Sequence, residues 1–379
     1  MKRLSCVVAM IVLTTVFTIL YMTLNLDVAS GFKPGPNDLQ KQRGMRVQIT
    51  EAKPEPFVSD GFRQVIPQNG AYWNRLVHSA LRELDQGENQ FRNDFVQVMN
   101  CRSPPVLLDQ PNKCIASEEG EEVRTILLLA IKSTPGNFER RQAVRETWGS
   151  EVFQSGVQVR TVFLLGTTPQ DHPNLSALLS FESDYHGDLL QWDFQESLLN
   201  LTLKMNMFLE WTLKRCPQVS YVFSGDDDVF MNTPALLTYL TSQEASSRGP
   251  HLYVGQIIRN GSPIRDPYNK YYIPLSFYDG PYPAYAGGGG YLFSGALLGP
   301  LHSLLNVIPF YPIDDVYAGM CFNALGVSPE AHPGFRTFDV KDQDRENLCV
   351  HKDLILIHRR SPSQITKLWK GIHNPLLTC

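Results

Sequence analysis

The sequence predicts an α/β protein built around a mostly parallel sheet. After residue 122, continuous apolar runs such as residues 125–131 (TILLLAI) alternate with stretches of helical periodicity. Strands buried on both faces are unbroken apolar runs, and their alternation with helices is typical of a sheet covered on both sides. Three consecutive aspartates, Asp226 to Asp228, follow a later apolar run. In such sheets ligands bind beyond the carboxyl ends of the strands, so the triplet indicates a ligand site there.

The predicted elements follow one another closely along the chain. Four short apolar runs are predicted strands: residues 125–131, 159–165, 189–194 and 221–223. Three stretches with helical periodicity are predicted helices: residues 138–148, 175–181 and 200–214. Lys132, after the first strand, and the aspartate triplet, after the fourth, are therefore expected at the same edge of the sheet.

The aspartate triplet, Asp226 to Asp228, places like charges side by side at a strand end, which is unfavourable without a cation. Alternate side chains of an extended segment share a face, so Asp226 and Asp228 point one way and Asp227 the other. Carboxylate oxygens suit Mg²⁺ or Mn²⁺. A solvated acidic turn is the alternative, but apolar residues flank the triplet on both sides and favour a metal site.

Residues 4–26 form an apolar stretch whose only ionisable groups are the weak acids Cys6 and Tyr21. As a helix, this stretch is long enough to cross a bilayer core of ~30 Å. Lys2 and Arg3 precede it, and positive charge stays on the cytoplasmic side. The sequence thus predicts a cytoplasmic tail at 1–3, a span at 4–26 and a lumenal remainder. A cleaved signal peptide is the alternative, with a weak small-residue site at 29–31.

The lumenal part is predicted to have three segments. Residues 27–57 are rich in Gly, Pro, Lys and Gln and form a stem. Residues 58–121 form an extension that packs on a main domain at 122–379. The extension carries an amphipathic helical pattern, with apolar residues at Tyr72, Trp73, Leu76, Val77, Ala80, Leu81 and Leu84. A net charge of -4 without a basic block in the lumenal part argues against nucleic-acid binding.

The cysteines suit an oxidising lumen, because one of the seven lies in the span and an even number remains. Of fifteen pairings open in principle, we expect Cys101–Cys114 by proximity, Cys321–Cys349 by their shared region and Cys216–Cys379 by elimination. No spacing indicates a zinc site. Three sequons agree with the lumen and predict N-glycans at Asn174, Asn200 and Asn260.

Several motifs occur in a fixed order along residues 122–379. They are RRQAVRETWG at 140–149, VFLLG at 162–166, DF at 193–194 leading to NLTLK at 200–204, the triplet with VF at 226–230, YAGGGG at 285–290 and PIDDVY at 312–317. In this order they resemble the β-1,3-glycosyltransferases, glycosyltransferase family 31. The last two motifs resemble the poly-N-acetyllactosamine-extending β-1,3-N-acetylglucosaminyltransferases within that family.

The resemblance implies a GT-A fold and inverting transfer from the donor UDP-GlcNAc, with Mn²⁺ or Mg²⁺ as cofactor. The implied acceptor is a glycan ending in β-galactose, modified at its 3-hydroxyl. It also implies attachment to the Golgi membrane through residues 4–26, with homo- or hetero-oligomers with other glycosyltransferases left open. A β-1,3-galactosyltransferase that uses UDP-Gal and a non-catalytic lumenal glycan-binding protein are the alternatives.

Asp315 is the predicted catalytic base, because its apolar neighbours would partly desolvate the carboxylate and raise its basicity. Asp314 is expected to cap a helix that begins near Val316. Spacing alone does not separate the base from a capping role, and the resemblance favours the base. Asp228 is the predicted metal ligand. His358 follows the apolar residues 354–357, where a structural histidine is more common. The resemblance implies that it is the second ligand.

The remaining candidates are predicted donor contacts. They are Lys132, Arg141, Arg145, Lys204, Asp226, Asp227, Gly288 and Gly289. Helical arginines are more often salt-bridge partners, which is the alternative for Arg141 and Arg145. The glycine run at 287–290 lets backbone amides approach a sugar and is expected to leave room beside it. Phe277, Tyr282 and Tyr285 are expected to offer aromatic faces to carbohydrate, although aromatic residues usually pack in a core.

Overall fold

The computed structural model describes residues 103–115, 125–169, 172–242, 247–275, 277–305 and 307–379. All of them fall within one compact unit, Ser59–Cys379. The predicted membrane span, the stem and most of the extension lie outside the described residues. No helix within the described ranges is both long and apolar enough to cross a bilayer.

The strands are β1 (Val106–Leu108), β2 (Thr125–Lys132), β3 (Phe153–Gln154), β4 (Val157–Thr167), β5 (Leu189–Gln195), β6 (Tyr221–Asp226), β7 (Phe230–Met231), β8 (Tyr253–Ile258), β9 (Tyr285–Ser294), β10 (Glu330–Ala331), β11 (Phe335–Arg336) and β12 (Leu356–Ile357). The helices are α1 (Phe138–Arg145), α2 (Ser176–His186), α3 (Leu201–Arg215), α4 (Thr233–Leu240), α5 (Leu298–Leu305), α6 (Asp314–Ala324), α7 (Leu348–Lys352) and α8 (Pro362–Ile372). The strands and helices predicted between residues 125 and 226 are all present.

The main sheet has nine strands in the order β1-β5-β4-β2-β6-β9-β8-β10, with β3 paired to β4. Its central strands β5, β4, β2 and β6 are parallel, as predicted. Lys132 is in register with Asp226, so the two predicted site residues meet at the same edge. Strand β9 runs antiparallel between β6 and β8. Its glycine-rich start hid this strand from a search for apolar runs.

Two apolar clusters cover the two faces of the sheet because side chains of β2 alternate. Leu128 and Ala130 pack in the cluster that includes α3, α5 and α6. Leu127 and Leu129 pack in the other, which includes α1, α4 and α8. All four side chains are fully buried. The continuous apolar sequence of β2 therefore corresponds to a strand covered on both sides.

A small second sheet, in the order β11-β12-β7, attaches the C-terminal region to the residues that follow the aspartate triplet. Strand β12 runs antiparallel to β7, with Ile357 opposite Phe230. The next residue, His358, is thereby delivered to the level of Asp228.

Helix α2 is longer than predicted, since it reaches His186 instead of ending at residue 181. Its last turn is held by tertiary contacts: Glu182 pairs with arginines of α1, and Ser183 Oγ accepts a hydrogen bond from Gln110 Nε2 at 2.9 Å. Gly187, at φ +62°, ends the helix in the left-handed region that favours glycine.

All three predicted disulfide pairings are wrong. The structure links Cys114 to Cys216 and Cys349 to Cys379. Cys321 is buried and free of any disulfide within the described part of the chain. Cys101 lies outside the described residues.

The Cys114–Cys216 bond spans 102 residues of sequence. It forms because the segment after β1 packs on the end of α3. Asp109 accepts a hydrogen bond from Trp211 Nε1 at 2.8 Å and lies 2.9 Å from Arg215 Nη2. Distance along the sequence did not reveal this contact, since it depends on β1 joining the edge of the sheet.

The three glycosylation sequons differ in solvent exposure. Asn174 and Asn260 are exposed. Asn200 is only 4% exposed, and its side-chain nitrogen donates to the carbonyl oxygen of Gln195 at 2.6 Å. A glycan on Asn200 is therefore incompatible with this fold, which corrects the prediction at that position.

Candidate active site

The aspartate triplet straddles the end of β6 and presents its carboxylates to two sides. Asp228 Oδ1 lies 3.1 Å and Asp226 Oδ2 lies 3.7 Å from Nε2 of His358. Asp227 turns away and accepts hydrogen bonds from Ser133 Oγ at 2.7 Å and Asn137 Nδ2 at 2.8 Å. This alternation is the one expected for an extended backbone.

Asp226, Asp228 and His358 form a three-residue group whose ligand atoms all lie within 4.8 Å of one another. The Nδ1 atom of His358 lies 3.0 Å from the carbonyl oxygen of Thr337. Because a carbonyl only accepts, Nδ1 carries the proton of a neutral ring and Nε2 turns its lone pair toward the two carboxylates. Three acceptors facing one another need a cation between them, so these residues fit a divalent metal ion.

The electrostatics of the group agree with this requirement. Burial, together with the charges of Asp314 and Asp228, raises the pKa of Asp226 despite the nearby Lys132. Burial opposes ionisation of Asp228 as well, but His358 and Arg140 hold the pKa of this carboxyl below its usual value. Burial also disfavours a charged His358, yet Asp228 and Asp226 raise the pKa of the imidazole. The two carboxylates thus favour a positive charge between them.

Lys132 connects the metal-ligand group to the predicted base. Its Nζ donates to Asp314 Oδ2 at 2.7 Å and to the carbonyl oxygen of Gly288 at 3.2 Å, and it lies 3.1 Å from Asp226 Oδ1. Burial disfavours the charged form, but Asp226 and Asp314 raise its pKa well above the usual value. Its three protons are matched by three acceptors of this chain, so Lys132 positions the carboxylates around it.

Asp315 lies in the first turn of α6. Its Oδ2 accepts a hydrogen bond from the Gly288 amide and its Oδ1 accepts one from the Val316 amide, both at 2.8 Å. Burial and the charge of Asp314 raise its pKa to about 7, although Lys132 and the two amides act against this. A carboxyl poised near neutrality is suited to general-base catalysis.

The expected capping role of Asp314 is wrong. The N-cap position of α6 is Ile313, which makes no side-chain cap. The carboxylate of Asp314 pairs with Lys132 instead. Asp314 has this role because the buried Lys132 needs a counter-charge. The local sequence around Asp314 does not show that Lys132 lies beside it.

Two glycines of β9 pack closely against the predicted base and the predicted metal ligand. A Cβ on Gly288 would lie 3.1 Å from Asp315 Oδ2, and a Cβ on Gly289 would lie 3.0 Å from His358 Cγ. The room that these glycines provide is therefore filled by Asp315 and His358. This corrects the expectation that the run leaves open space beside a sugar.

A cleft of about 300 Å³ opens beside the triplet. Its walls come from the end of β2, the start of α1 and the start of α3. They include Lys132, Ser133, Thr134, Asn137, Arg140, Glu196, Leu201, Lys204 and Asp226 to Asp228. Lys204 is buried, and its Nζ donates to Ser133 O at 2.7 Å and Glu196 Oε1 at 2.6 Å.

Arg140 is a functional candidate that the sequence reasoning missed. Its Nη1 lies 3.8 Å from Asp227 and 3.7 Å from Asp228. This buried nitrogen has no hydrogen-bond partner within the described residues, and the residue lines the cleft. The signal in the sequence was its position at the start of α1, directly after the edge of β2. A guanidinium nitrogen that makes no hydrogen bond beside the cleft suits a phosphate oxygen.

Arg141 and Arg145 do not line the cleft. Arg141 is fully buried, pairs with Glu182 at 2.7 Å and donates to the carbonyl oxygen of Thr134 at 2.6 Å. Arg145 pairs with Glu182 and with Asp188, both at 2.7 Å. The structure thus engages both arginines in salt bridges, and Arg141 fixes the loop that forms one wall of the cleft.

The three aromatic candidates mainly belong to the core. Phe277 and Tyr282 are buried, and the Tyr282 hydroxyl lies 2.8 Å from the hydroxyl of Tyr311. Tyr285 alone is partly exposed. The expected carbohydrate surface is therefore reduced to this one residue.

Comparisons with known proteins show the family of this chain. Residues 139–333 match the family described as Galactosyltransferase. The mouse N-acetyllactosaminide beta-1,3-N-acetylglucosaminyltransferase 2 is 45% identical over 305 residues, which cover 80% of this chain and 75% of that protein. The human UDP-GlcNAc:betaGal beta-1,3-N-acetylglucosaminyltransferase 8 is 37% identical over 369 residues, which cover 89% and 90%. The chain therefore belongs to the galactosyltransferase family and is a glycosyltransferase.

Proposed function

We propose that this chain transfers N-acetylglucosamine from UDP-GlcNAc to the 3-hydroxyl of a terminal β-galactose, with inversion at the anomeric carbon. The observation that carries the proposal is the packing of Asp315 and His358 on adjacent glycines of β9. Lys132 joins Asp226 to Asp314, so the base and the metal-ligand group are held by the same residues. The two relatives described above are both named as β-1,3-N-acetylglucosaminyltransferases, which supports the donor and the linkage.

In the proposed reaction Asp315 accepts the proton of the acceptor hydroxyl. The acceptor oxygen forms a bond to the anomeric carbon from the face opposite the diphosphate, and the bond from that carbon to the UDP oxygen breaks. The Gly288 and Val316 amides fix both oxygens of Asp315 during this step. No covalent sugar–enzyme intermediate is required.

The departing diphosphate develops negative charge beside the cleft. A Mn²⁺ or Mg²⁺ ion held by Asp226, Asp228 and His358 would supply Lewis-acid charge to it. Arg140 Nη1, which makes no hydrogen bond within the described residues, would donate to a phosphate oxygen. Ser133 and Asn137 donate hydrogen bonds to Asp227, which offset part of its negative charge beside the cleft.

We extend the proposal to the setting of the enzyme. The domain would have the GT-A fold and would face the Golgi lumen, anchored by residues 4–26. The two described disulfides suit that oxidising compartment. Tryptic protection of the domain in sealed Golgi vesicles, lost when detergent is added, is the expected result. Cleavage of the domain in intact vesicles would contradict the lumenal orientation.

The donor preference is tested by comparing kcat/KM for UDP-GlcNAc and UDP-Gal. N-acetyllactosamine serves as acceptor, and linkage analysis of the product accompanies the kinetics. We expect UDP-GlcNAc to be preferred by at least ~10²-fold, since a polar site built for an amide rejects a sugar that lacks it. Equal or greater efficiency with UDP-Gal would assign the chain to galactosyl transfer and leave the base and metal assignments unchanged.

The pH dependence tests the environment of Asp315. Its pKa is raised to about 7, so the ionised form that accepts a proton increases as the pH rises. We expect kcat at saturating donor and metal to rise about tenfold per pH unit below the pKa and to level off above it. A rate that is already constant from pH 5 upward would mean that Asp315 is not desolvated during turnover.

A further inference from the structure

A buried ion pair adjoins the metal-ligand group. Arg360 Nη2 donates a hydrogen bond to Asp339 Oδ1 at 2.6 Å. The side chains of Arg360 and Asp339 are only 3% and 10% exposed. Neither residue lines the cleft beside the aspartate triplet. Any role of this pair in the site must therefore come from the residues that it holds.

Arg360 contacts the backbone of two of the three metal-ligand residues. Its amide donates to the carbonyl oxygen of Asp228 at 2.7 Å. Its Nη1 donates to the carbonyl oxygens of His358 and Arg359, both at 3.0 Å. A guanidinium makes such contacts with a rigid planar fork. One residue thus joins the backbone of Asp228 to the segment that carries His358.

Asp339 belongs to a turn that also fixes His358. The amides of Asp339 and His358 both donate to the carbonyl oxygen of Arg336, at 3.2 and 3.1 Å. The ring of His358 bonds through Nδ1 to the carbonyl oxygen of Thr337 at 3.0 Å. The ion pair with Arg360 adds a third connection between the two segments. Residues 336–339 therefore set both the backbone position and the ring direction of His358.

Two residues of this arrangement have a strained backbone. Asp339 has φ +72° and Arg359 has φ +60°, in the left-handed region that favours glycine. Conformations of this kind persist where surrounding contacts hold them, and they concentrate at functional sites. The ion pair joins Asp339 to Arg360, the residue directly after Arg359. It is thus a contact that holds both strained residues in place.

We propose that Arg360, paired with Asp339, is a positioning residue for the metal site. The pair holds Asp228 and His358 at ligand distance before the ion binds. Without it the strained turns relax, and the ion has to order its own ligands on binding. Residues that orient metal ligands in this way typically change metal affinity by about 10–100-fold. The inference rests on the metal site of the proposed function.

Calorimetric titrations of UDP into the full-length protein in detergent, at a series of Mn²⁺ concentrations, test the proposal. Arg360→Gln and Asp339→Ala should raise the Mn²⁺ concentration that gives half-maximal UDP affinity by about tenfold or more. At saturating Mn²⁺ both variants should reach the wild-type UDP affinity, since neither residue lines the cleft. An Arg360→Gln variant with the wild-type Mn²⁺ requirement would overturn the positioning role alone. Wild-type protein that binds UDP equally well without Mn²⁺ would refute the metal site on which that role rests.

The two carboxylate oxygens of Asp339 provide matched controls. Oδ1 accepts from Arg360 and from the Val340 amide. Oδ2 accepts only from Arg345 among the described residues, and the side chain of Arg345 is 46% exposed. Arg345→Gln removes the Oδ2 contacts and should keep the wild-type Mn²⁺ requirement. A rise as large as that in Arg360→Gln would overturn the proposal, because it would not depend on the contact with Arg360.

Asp339→Asn is the conservative counterpart of Asp339→Ala. Asparagine tolerates the left-handed region and keeps an acceptor oxygen for Arg360. This variant should therefore need less Mn²⁺ than Asp339→Ala for the same UDP affinity. An equal requirement in the two variants would refute the role of the Oδ1 contact.

Hydrogen–deuterium exchange of the wild type provides a test that does not depend on any variant folding. In excess chelator, residues 356–361 should already be protected, because the amides of His358 and Arg360 donate to backbone carbonyl oxygens. Adding Mn²⁺ and UDP should change this protection little. Exchange as fast as in an unstructured chain, with protection only after Mn²⁺ is added, would show that the ion orders the segment and would overturn the proposal.

Discussion

Replacing Asp315 by asparagine is expected to abolish transfer while leaving UDP binding nearly intact. The amide keeps the shape of the carboxyl but cannot accept the proton of the acceptor hydroxyl. Loss of general-base assistance costs ~10²-fold or more, and the loss should appear in kcat. Single-turnover kinetics with N-acetyllactosamine and a UDP-binding titration are the measurements.

Asp342→Asn is the matched control for this experiment, because the side chain of Asp342 is 98% exposed and lies on a short turn outside the cleft. It should retain wild-type kcat. If Asp315→Asn kept more than about a tenth of the wild-type rate, against the ~10²-fold loss expected for a general base, Asp315 would not be the base.

Replacing Asp228 by alanine is expected to remove both the activity and the divalent-ion dependence of UDP binding. Asp228 contributes the carboxylate oxygen that lies 3.1 Å from His358. Without it, Asp226 and His358 alone face the ion, and the phosphates meet unrelieved acidic charge. A fall in kcat/KM of at least ~10³-fold corresponds to the several kcal/mol that a catalytic metal supplies.

Asp227→Asn distinguishes the loss of a metal ligand from the loss of one negative charge in the triplet. Asp227 is engaged by Ser133 and Asn137 and turns away from the metal-ligand group. This variant should keep the divalent-ion dependence of UDP binding that Asp228→Ala loses. Chelation should reproduce the effect of Asp228→Ala on the wild type. Full activity in excess chelator would rule out the metal site.

Much of the architecture was readable from the sequence because strands buried on both faces are continuous apolar runs. Residues 125–131 and 159–165 were predicted as strands, and the structure confirms both within β2 and β4. The edge position of Lys132 beside Asp226 followed from the parallel arrangement of the strands. Strand β9 was missed, since its glycines serve the packing of other segments and carry no apolar signal.

The sequence motifs also named the chemical groups of the candidate site. Carboxylates in the triplet, Asp315 and His358 were all identified from residue type, spacing and family resemblance. The side chains that contact one another around the site were not predicted. Arg141 and Arg145 pair with Glu182, whereas Arg140 lines the cleft. The three arginines differ because they project from different sides of helix α1.

By itself, the sequence determined the α/β class and the family and named candidate residues for the site, since these depend on local periodicity and on motifs with a fixed order. Only the tertiary structure decided which residues meet. Cys114 pairs with Cys216, Asp314 neutralises Lys132, and Gly289 accommodates His358. These contacts join residues more than 60 positions apart, as the 102-residue separation of the first disulfide illustrates. They form because close packing and buried charges must be satisfied in three dimensions, and no local pattern encodes that requirement.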